Sequence, residues 1–234
     1  MQVFFLSGLG ADKSVFQFLD LSYCSPVFID WIPPNKNETL QHYAIRLKET
    51  LIPDNSTVIG LSFGGMLATE IVNQYPSVKA ILISSAKTKN EIPAFYRAGK
   101  YLPMHNLFPG TVHKWLMMKM KNLFSITDEA VLKIYQELIK KSDPAFNRWA
   151  VTALLNWNNA EVPKNIFHIH GTHDKVLPYK YVNSDYTVKK GGHFMVMEQA
   201  AEISKIIKEI IMGEVVNASV LSSSTSRFAD RFQG

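Results

Sequence analysis

Cysteine is almost absent from the chain, Cys24 being the only one in 234 residues. A disulfide framework within the chain and a multi-cysteine metal site are therefore excluded, and Cys24 reads as a small packed hydrophobe in a reducing compartment. Long apolar runs are missing too: none approaches the roughly 18 residues of a membrane-spanning helix. The opening residues, Met1 to Gly10, have neither the basic segment nor the apolar stretch of a signal peptide, which predicts a soluble, cytoplasmic protein. Charged residues make up only 19%, and although the net charge is +5, the lysines are scattered rather than gathered into a stripe, which argues against a nucleic-acid partner. Internal repeats are not found. What remains is an ordinary globular composition, 47% apolar, at a length suited to one compact α/β domain with room for an insertion.

Short β-rich runs recur at Gln2–Leu6, Pro26–Trp31, Ser56–Leu61, Val78–Ser84, Asn165–His170 and Ser184–Val188, each closed by turn formers or a polar break. Several are continuously apolar, as strands covered on both faces of a parallel sheet are. Helical periodicities lie between them. Glu38–Leu51 places Leu40, Tyr43, Ala44, Leu47 and Leu51 on one face and stops before Pro53; Gly64–Tyr75 ends before Pro76, and Glu198–Met212 before Gly213. This alternation implies right-handed crossovers and a doubly wound α/β fold. It breaks over residues 91–160, where a structureless loop of that length would be unusual, so a helical insertion is expected. The expected organisation is a core of residues 1–90 and 161–213, an insertion of residues 91–160, and a Ser-rich tail of residues 214–234. In that tail, Asn217-Ala218-Ser219 is an accidental match to a glycosylation acceptor.

The strongest local signal is Gly60-Leu61-Ser62-Phe63-Gly64, a G-x-S-x-G sequence directly after an apolar strand and directly before a helix. Such a turn exposes the serine hydroxyl at a helix N-terminus, where the dipole and the N–H of Phe63 stabilise negative charge on a substrate oxygen. A glycine-rich strand-to-helix turn with no chemistry would look the same in isolation. Two further segments separate these readings. His170-Gly171-Thr172-His173-Asp174 follows a late strand and Gly191-Gly192-His193 follows the last one, so an acid and a base sit at strand C-terminal ends, the edge where open parallel sheets bind ligands.

With Ser62, Asp174 and His193 in that order, the chain resembles the α/β-hydrolase family over about residues 2–213. The resemblance implies a serine nucleophile, Ser62, with His193 as base and Asp174 as acid, and no metal or organic cofactor. It makes Leu6-Ser7-Gly8-Leu9-Gly10 the oxyanion loop, with the Leu9 N–H as second donor beside Phe63, although Ser7 stands where the family frequently has histidine. It also implies a six-stranded, all-parallel sheet without the family's first hairpin. The span from Asp174 to His193 leaves room for only one helical turn, around Pro178–Asn183. Other candidates read as structure: His170 as a packed residue, Asp12 as a helix cap near Lys13, Asp30 as a turn residue, and Asp185 as lying at the wrong sheet edge. His173 lacks the Gly-Gly context of His193, and His105 and His113 lack partners for a metal site.

The resemblance makes residues 91–160 a cap over the active site. Most of its aromatic and methionine residues, from Phe95, Tyr96, Tyr101, Met104 and Phe108 to Trp149 and Trp157, should build its own core and its contact with the sheet, with a few lining an apolar pocket. Its nine Lys or Arg against five Asp or Glu give a net +4. This is an ordinary solvated face or a docking surface for an acidic acyl carrier. The expected function is cleavage of a small, largely apolar carboxylic ester through an acyl-enzyme. The alternatives are a hydrolase of carrier- or coenzyme A-bound (thio)esters, a lyase or carbon–carbon hydrolase on the same triad, and a ligand-binding protein with a degenerate hydrolase fold.

Overall fold

The computed structural model describes residues 1–98 and 110–213, without side-chain burial for Arg97, Ala98 and His113. Expectations for Tyr101, Met104, His105, Phe108 and the tail of residues 214–234, including its Asn217 acceptor, fall outside the described residues, as does the side chain of His113.

Six strands form one sheet: β1 (Gln2–Leu6), β2 (Ser25–Ile29), β3 (Thr57–Leu61), β4 (Lys79–Ile83), β5 (Ile166–Gly171) and β6 (Tyr186–Val188). They lie in the order β2-β1-β3-β4-β5-β6 and every pairing is parallel. The fold is thus a doubly wound α/β sheet. The helices are α1 (Leu40–Leu51), α2 (Phe63–Gln74), α3 (Ala94–Ala98), α4 (Gly110–Lys119), α5 (Glu129–Lys141), α6 (Pro144–Leu155), α7 (Met195–Glu198) and α8 (Ala200–Met212). Successive strand residues alternate between two cores, as the pleat requires. Phe4, Leu6, Val58, Ala80 and Leu82 pack under α1 and α2, while Val3, Phe5, Ile59, Ile81 and Ile169 pack under α5 and α8.

Small shifts from the sequence-based bounds have local causes. α1 begins at Leu40 rather than Glu38: Thr39 caps it by accepting the His42 N–H at 3.2 Å, and the Glu38 carboxylate is bound to Arg46 and to the Asn35 N–H. The run at Pro26 belongs to an edge strand, where a residue without an N–H is tolerated. The periodicity continuing from Glu198 is divided, because Gln199 leaves helical geometry between α7 and α8. Residues 91–160 contain helices and no strand among the described residues. Phe146 of α6 stacks on Trp31 at 5.3 Å, and Trp149 donates from Nε1 to the Glu38 carbonyl at 2.9 Å, so aromatic side chains of this segment secure it to the sheet's helices.

The chain runs from β1 outward to β2 and then crosses to β3 on the other side of β1, so the winding reverses between β1 and β3. A crevice opens at such a point, outside the strand C-termini. The segments holding Leu9, Ser62, Asp174 and His193 follow β1, β3, β5 and β6, and all leave the sheet at this edge.

Candidate active site

Ser62 sits between β3 and α2 with φ 51° and ψ −115°, a conformation costly for any residue with a side chain and held by its surroundings. Its N–H donates to the Ile83 carbonyl at 2.9 Å; its carbonyl accepts from Gly65 N–H at 2.9 Å and from Ser85 Oγ at 2.7 Å. The helix that starts here passes very near β1. A Cβ on Gly64 would lie 2.3 Å from the Ser7 carbonyl oxygen, so only glycine allows α2 this approach.

The three sequence-predicted side chains meet. His193 Nε2 is 3.0 Å from Ser62 Oγ, and His193 Nδ1 is 2.8 Å from Asp174 Oδ2. Asp174 and His193 are each 4% exposed, while Ser62 is half-buried. The second carboxylate oxygen, Asp174 Oδ1, accepts the N–H groups of Val176 at 2.8 Å and Leu177 at 2.9 Å, which fixes the carboxylate plane. Burial opposes ionisation of Asp174. The neighbouring His193 ring and its hydrogen bond, with His170 and the Leu177 N–H, outweigh that effect and hold the carboxyl below its ordinary range.

The short span between acid and histidine is accommodated by direct backbone contact. The His173 N–H donates to the Gly191 carbonyl at 2.8 Å and the Thr172 N–H to the Val188 carbonyl at 3.1 Å. The one turn between them is the 3-10 segment Tyr179–Tyr181. His173 itself is exposed and takes no part in the Ser62 contact, whereas His170 is buried with Nε2 donating to the Leu177 carbonyl at 2.8 Å. Asp185, just before β6, accepts the His168 N–H in the middle of β5, and Asp12 caps the 3-10 segment Lys13–Phe16 through the Ser14 N–H. Asp30 is exposed at the end of β2.

The loop after β1 passes over the nucleophile, with a Cβ position on Gly8 3.6 Å from Ser62 Cβ. Ser7 Oγ and Trp31 Nε1 both donate to the Ala11 carbonyl, at 2.8 and 3.3 Å, which fixes the loop. The Leu9 N–H has no acceptor among the described residues, and Phe63, as first residue of α2, has no carbonyl one turn behind it to bond. Both N–H groups are therefore free to receive an oxyanion.

Beside Leu9 lies a narrow cavity of about 40 Å³, walled by Met117, Phe124, Leu138 and Phe194, with Asn147, Ser142, Tyr135 and Lys114 as polar members. The Phe124 ring lies 5.7 Å from the His193 ring. Segment 124–128 is held there by Glu198 of α7, whose Oε1 accepts the N–H groups of Thr127 and Asp128 at 2.5 and 2.9 Å. Sequence reasoning missed Ser85, Glu198 and Asn147. Ser85 is one of two adjacent serines ending a strand, but nothing in the sequence reveals that it reaches the Ser62 carbonyl. Among the described residues, no group of three or more His, Cys, Asp or Glu is placed to hold a metal ion, and no helix is long and apolar enough to cross a membrane.

A hydroxyl, an imidazole and a carboxylate thus stand in series at the switch point of a doubly wound sheet. The family model described as "Alpha/beta hydrolase family" matches residues 3–206, and the chain belongs to that family. Solved structures of similar fold include a thermophilic esterase from Thermogutta terrifontis (17% identity, TM-score 0.67, covering 91% of this chain and 90% of that one). An esterase from Exiguobacterium antarcticum is similar at 15% identity, TM-score 0.69 and 91% and 92% coverage. A meta-cleavage product hydrolase from Pseudomonas fluorescens matches at 16%, 0.63, and 92% of each chain. A search of curated proteins finds no match.

Proposed function

We propose that the protein is a serine hydrolase that cleaves a small, largely apolar carboxylic ester through an acyl-enzyme. The observation carrying this reading is the unbroken series from Ser62 Oγ through both nitrogens of His193 to Asp174. His193 Nε2 takes the hydroxyl proton as Ser62 Oγ attacks the carbonyl carbon, and Asp174 holds the ring tautomer and stabilises the imidazolium. The N–H groups of Leu9 and Phe63 receive the oxyanion. His193 then returns the proton to the departing alcohol, and a water deprotonated by the same nitrogen releases the acid. No step calls for a metal or an organic cofactor. The esterases of similar fold support the choice of bond, and the apolar walls contributed by Met117, Phe124 and Phe194 support the choice of acid.

The test is incubation with a fluorophosphonate probe followed by mass analysis of the peptides. One adduct on Ser62 is expected, together with turnover of short p-nitrophenyl esters; a folded protein left unlabelled would favour a ligand-binding role. A second reading is favoured by the exposed lysines of residues 91–160, among them Lys119, Lys121, Lys133 and Lys141. The same site would then act on an acyl group presented by an acidic carrier docked on the cap. Carrier-bound substrate should then outperform the free ester in a manner that weakens as salt is raised.

A further inference from the structure

Asn147 occupies an unusual position. It lies on α6, is 4% exposed, and its Oδ1 is buried with no hydrogen-bond partner among the described residues. A buried amide oxygen is normally paired, because leaving it dry and unbonded opposes folding. The backbone that carries it is held in place. The main-chain N–H of Asn147 donates to the Asp143 carbonyl at 3.0 Å, and the nearby Phe146 and Trp149 are secured to Trp31 and to the Glu38 carbonyl. At 4% exposure the side chain has little room to turn toward another partner.

Its neighbours place it beside the loop that carries Leu9. A Cβ built on Gly10, one residue past Leu9 in the oxyanion loop, would meet Asn147 Nδ2 at 3.4 Å and Oδ1 at 3.6 Å. Gly10 has φ +71°, a backbone conformation that favours glycine, and a side chain there would stand in ordinary contact with the amide. Asn147 lines the cavity beside Leu9, Phe124 and Phe194, and it also lines the adjoining groove walled by Trp31, Ile32 and Phe146. The cavity is otherwise lined mainly by apolar side chains, whereas the groove also carries Asp12, Lys141 and Asp143. The cavity's other polar side chains are already engaged: the Ser142 hydroxyl donates to the Ile139 carbonyl at 2.8 Å, the Tyr135 hydroxyl to the Met117 carbonyl at 2.6 Å and Lys114 Nζ to the Lys140 carbonyl at 2.6 Å.

We infer that Asn147 is a specificity-determining residue whose side-chain amide receives a hydroxyl group carried by the substrate. This rests on the ester-hydrolase reading and deepens it. The preferred ester is apolar over most of its length but bears one hydroxyl, in either its acid or its alcohol part. An apolar ester closes the cavity and leaves the amide unpaired. A hydroxylated one bonds it, since a hydroxyl both donates and accepts, and a site built around such a bond discriminates strongly against the analogue lacking it.

Two matched pairs test this: methyl 3-hydroxybutyrate against methyl butyrate, and 2-hydroxyethyl butyrate against ethyl butyrate, followed by acid release. The wild type should prefer the hydroxylated member of one pair by about tenfold or more in kcat/KM, and the pair that responds identifies which half of the ester carries the group. Asn147→Leu and Asn147→Ala should each bring that ratio close to one. Asn147→Leu, which removes an unpaired amide at nearly constant volume, should also leave Tm undiminished, a result an asparagine with a merely structural role would not give. No discrimination in either pair, a ratio unaltered by both substitutions, or a marked fall in Tm for Asn147→Leu overturns the inference. Fluorophosphonate labelling separates the two failures. Ser62 labelled without turnover of any hydroxylated ester removes the inference alone, and an unlabelled Ser62 removes the hydrolase reading and the inference with it.

Discussion

Gly171 and Gly191 are in backbone contact: a Cβ on Gly171 would lie 2.2 Å from the carbonyl oxygen of Gly191. One ends β5 just before the acid and the other begins the loop that carries the histidine. The contact therefore sets the distance between Asp174 and His193. Gly171→Ala should force the two loops apart, at a cost of about 1–3 kcal/mol, or a fall in Tm of about 3–10 °C. Esterase activity should fall by about tenfold or more through the lost alignment. Thermal unfolding and ester kinetics measure both, and wild-type values in each would show that the loops are not coupled through this contact.

The triad substitutions make a graded series. Ser62→Ala should abolish ester hydrolysis and probe labelling while the protein remains folded. Asp174→Asn preserves the shape but supplies an amide where His193 Nδ1–H needs an acceptor, and kcat should drop by about three to four orders of magnitude. Circular dichroism confirms folding in each case. Near-wild-type kcat in Asp174→Asn would move the acid role to another carboxylate.

Two buried histidines behind the site give stability a pH dependence. Burial lowers the pKa of His168 strongly, with His170 and Lys87 adding to it; burial also lowers that of His170, against the opposing effect of Asp174. In the unfolded chain both titrate near about 6.5. Below that pH the unfolded state binds more protons than the folded one, so stability is greatest above about pH 7 and declines as the solution is acidified. Tm measured at pH 7.5 and at pH 5.5 should differ accordingly, and His168→Gln should flatten the difference. A wild-type Tm indifferent to pH over this range would contradict the account.

Trp157 and Glu70 form a buried pair, with Nε1 donating to Oε1 at 2.6 Å. Burial raises the Glu70 pKa and the tryptophan N–H opposes it. Trp157→Phe keeps most of the packing but removes the donor, so the carboxyl pKa should rise further and stability should fall by about 1–3 kcal/mol. Since the penalty falls on the ionised form, the loss should be larger at pH 8 than at pH 5. Denaturant unfolding at the two pH values checks it, and an equal loss at both would mean that only packing had been removed.

Much of this architecture was legible because parallel strands buried on both faces are written as short apolar runs, and because the elbow around Ser62 needs small residues in fixed places. The sites of Asp174 and His193 followed from strand ends, since topology alone brings such ends to one rim. The expectation that the Leu9 N–H serves as an oxyanion donor came only through family resemblance. Less could be read where function depends on tertiary approach: Glu198 lies in what reads as continuous helix, yet its carboxylate secures Thr127 and Asp128 some seventy positions earlier. Asn147 is one polar letter in the amphipathic pattern of α6. Only its burial without a partner distinguishes it from a solvated surface residue.

The outer strand bears on how this protein behaves in a crowded solution. Ser25 N–H donates inward to the Met1 carbonyl at 3.0 Å, so the next position along β2, Pro26, turns its donorless nitrogen outward. A foreign chain seeking to extend the sheet there meets a gap in the row of donors, while the opposite border, β6, is only three residues long. Neither margin offers a long template for strand addition, so the sheet resists polymerising through its borders.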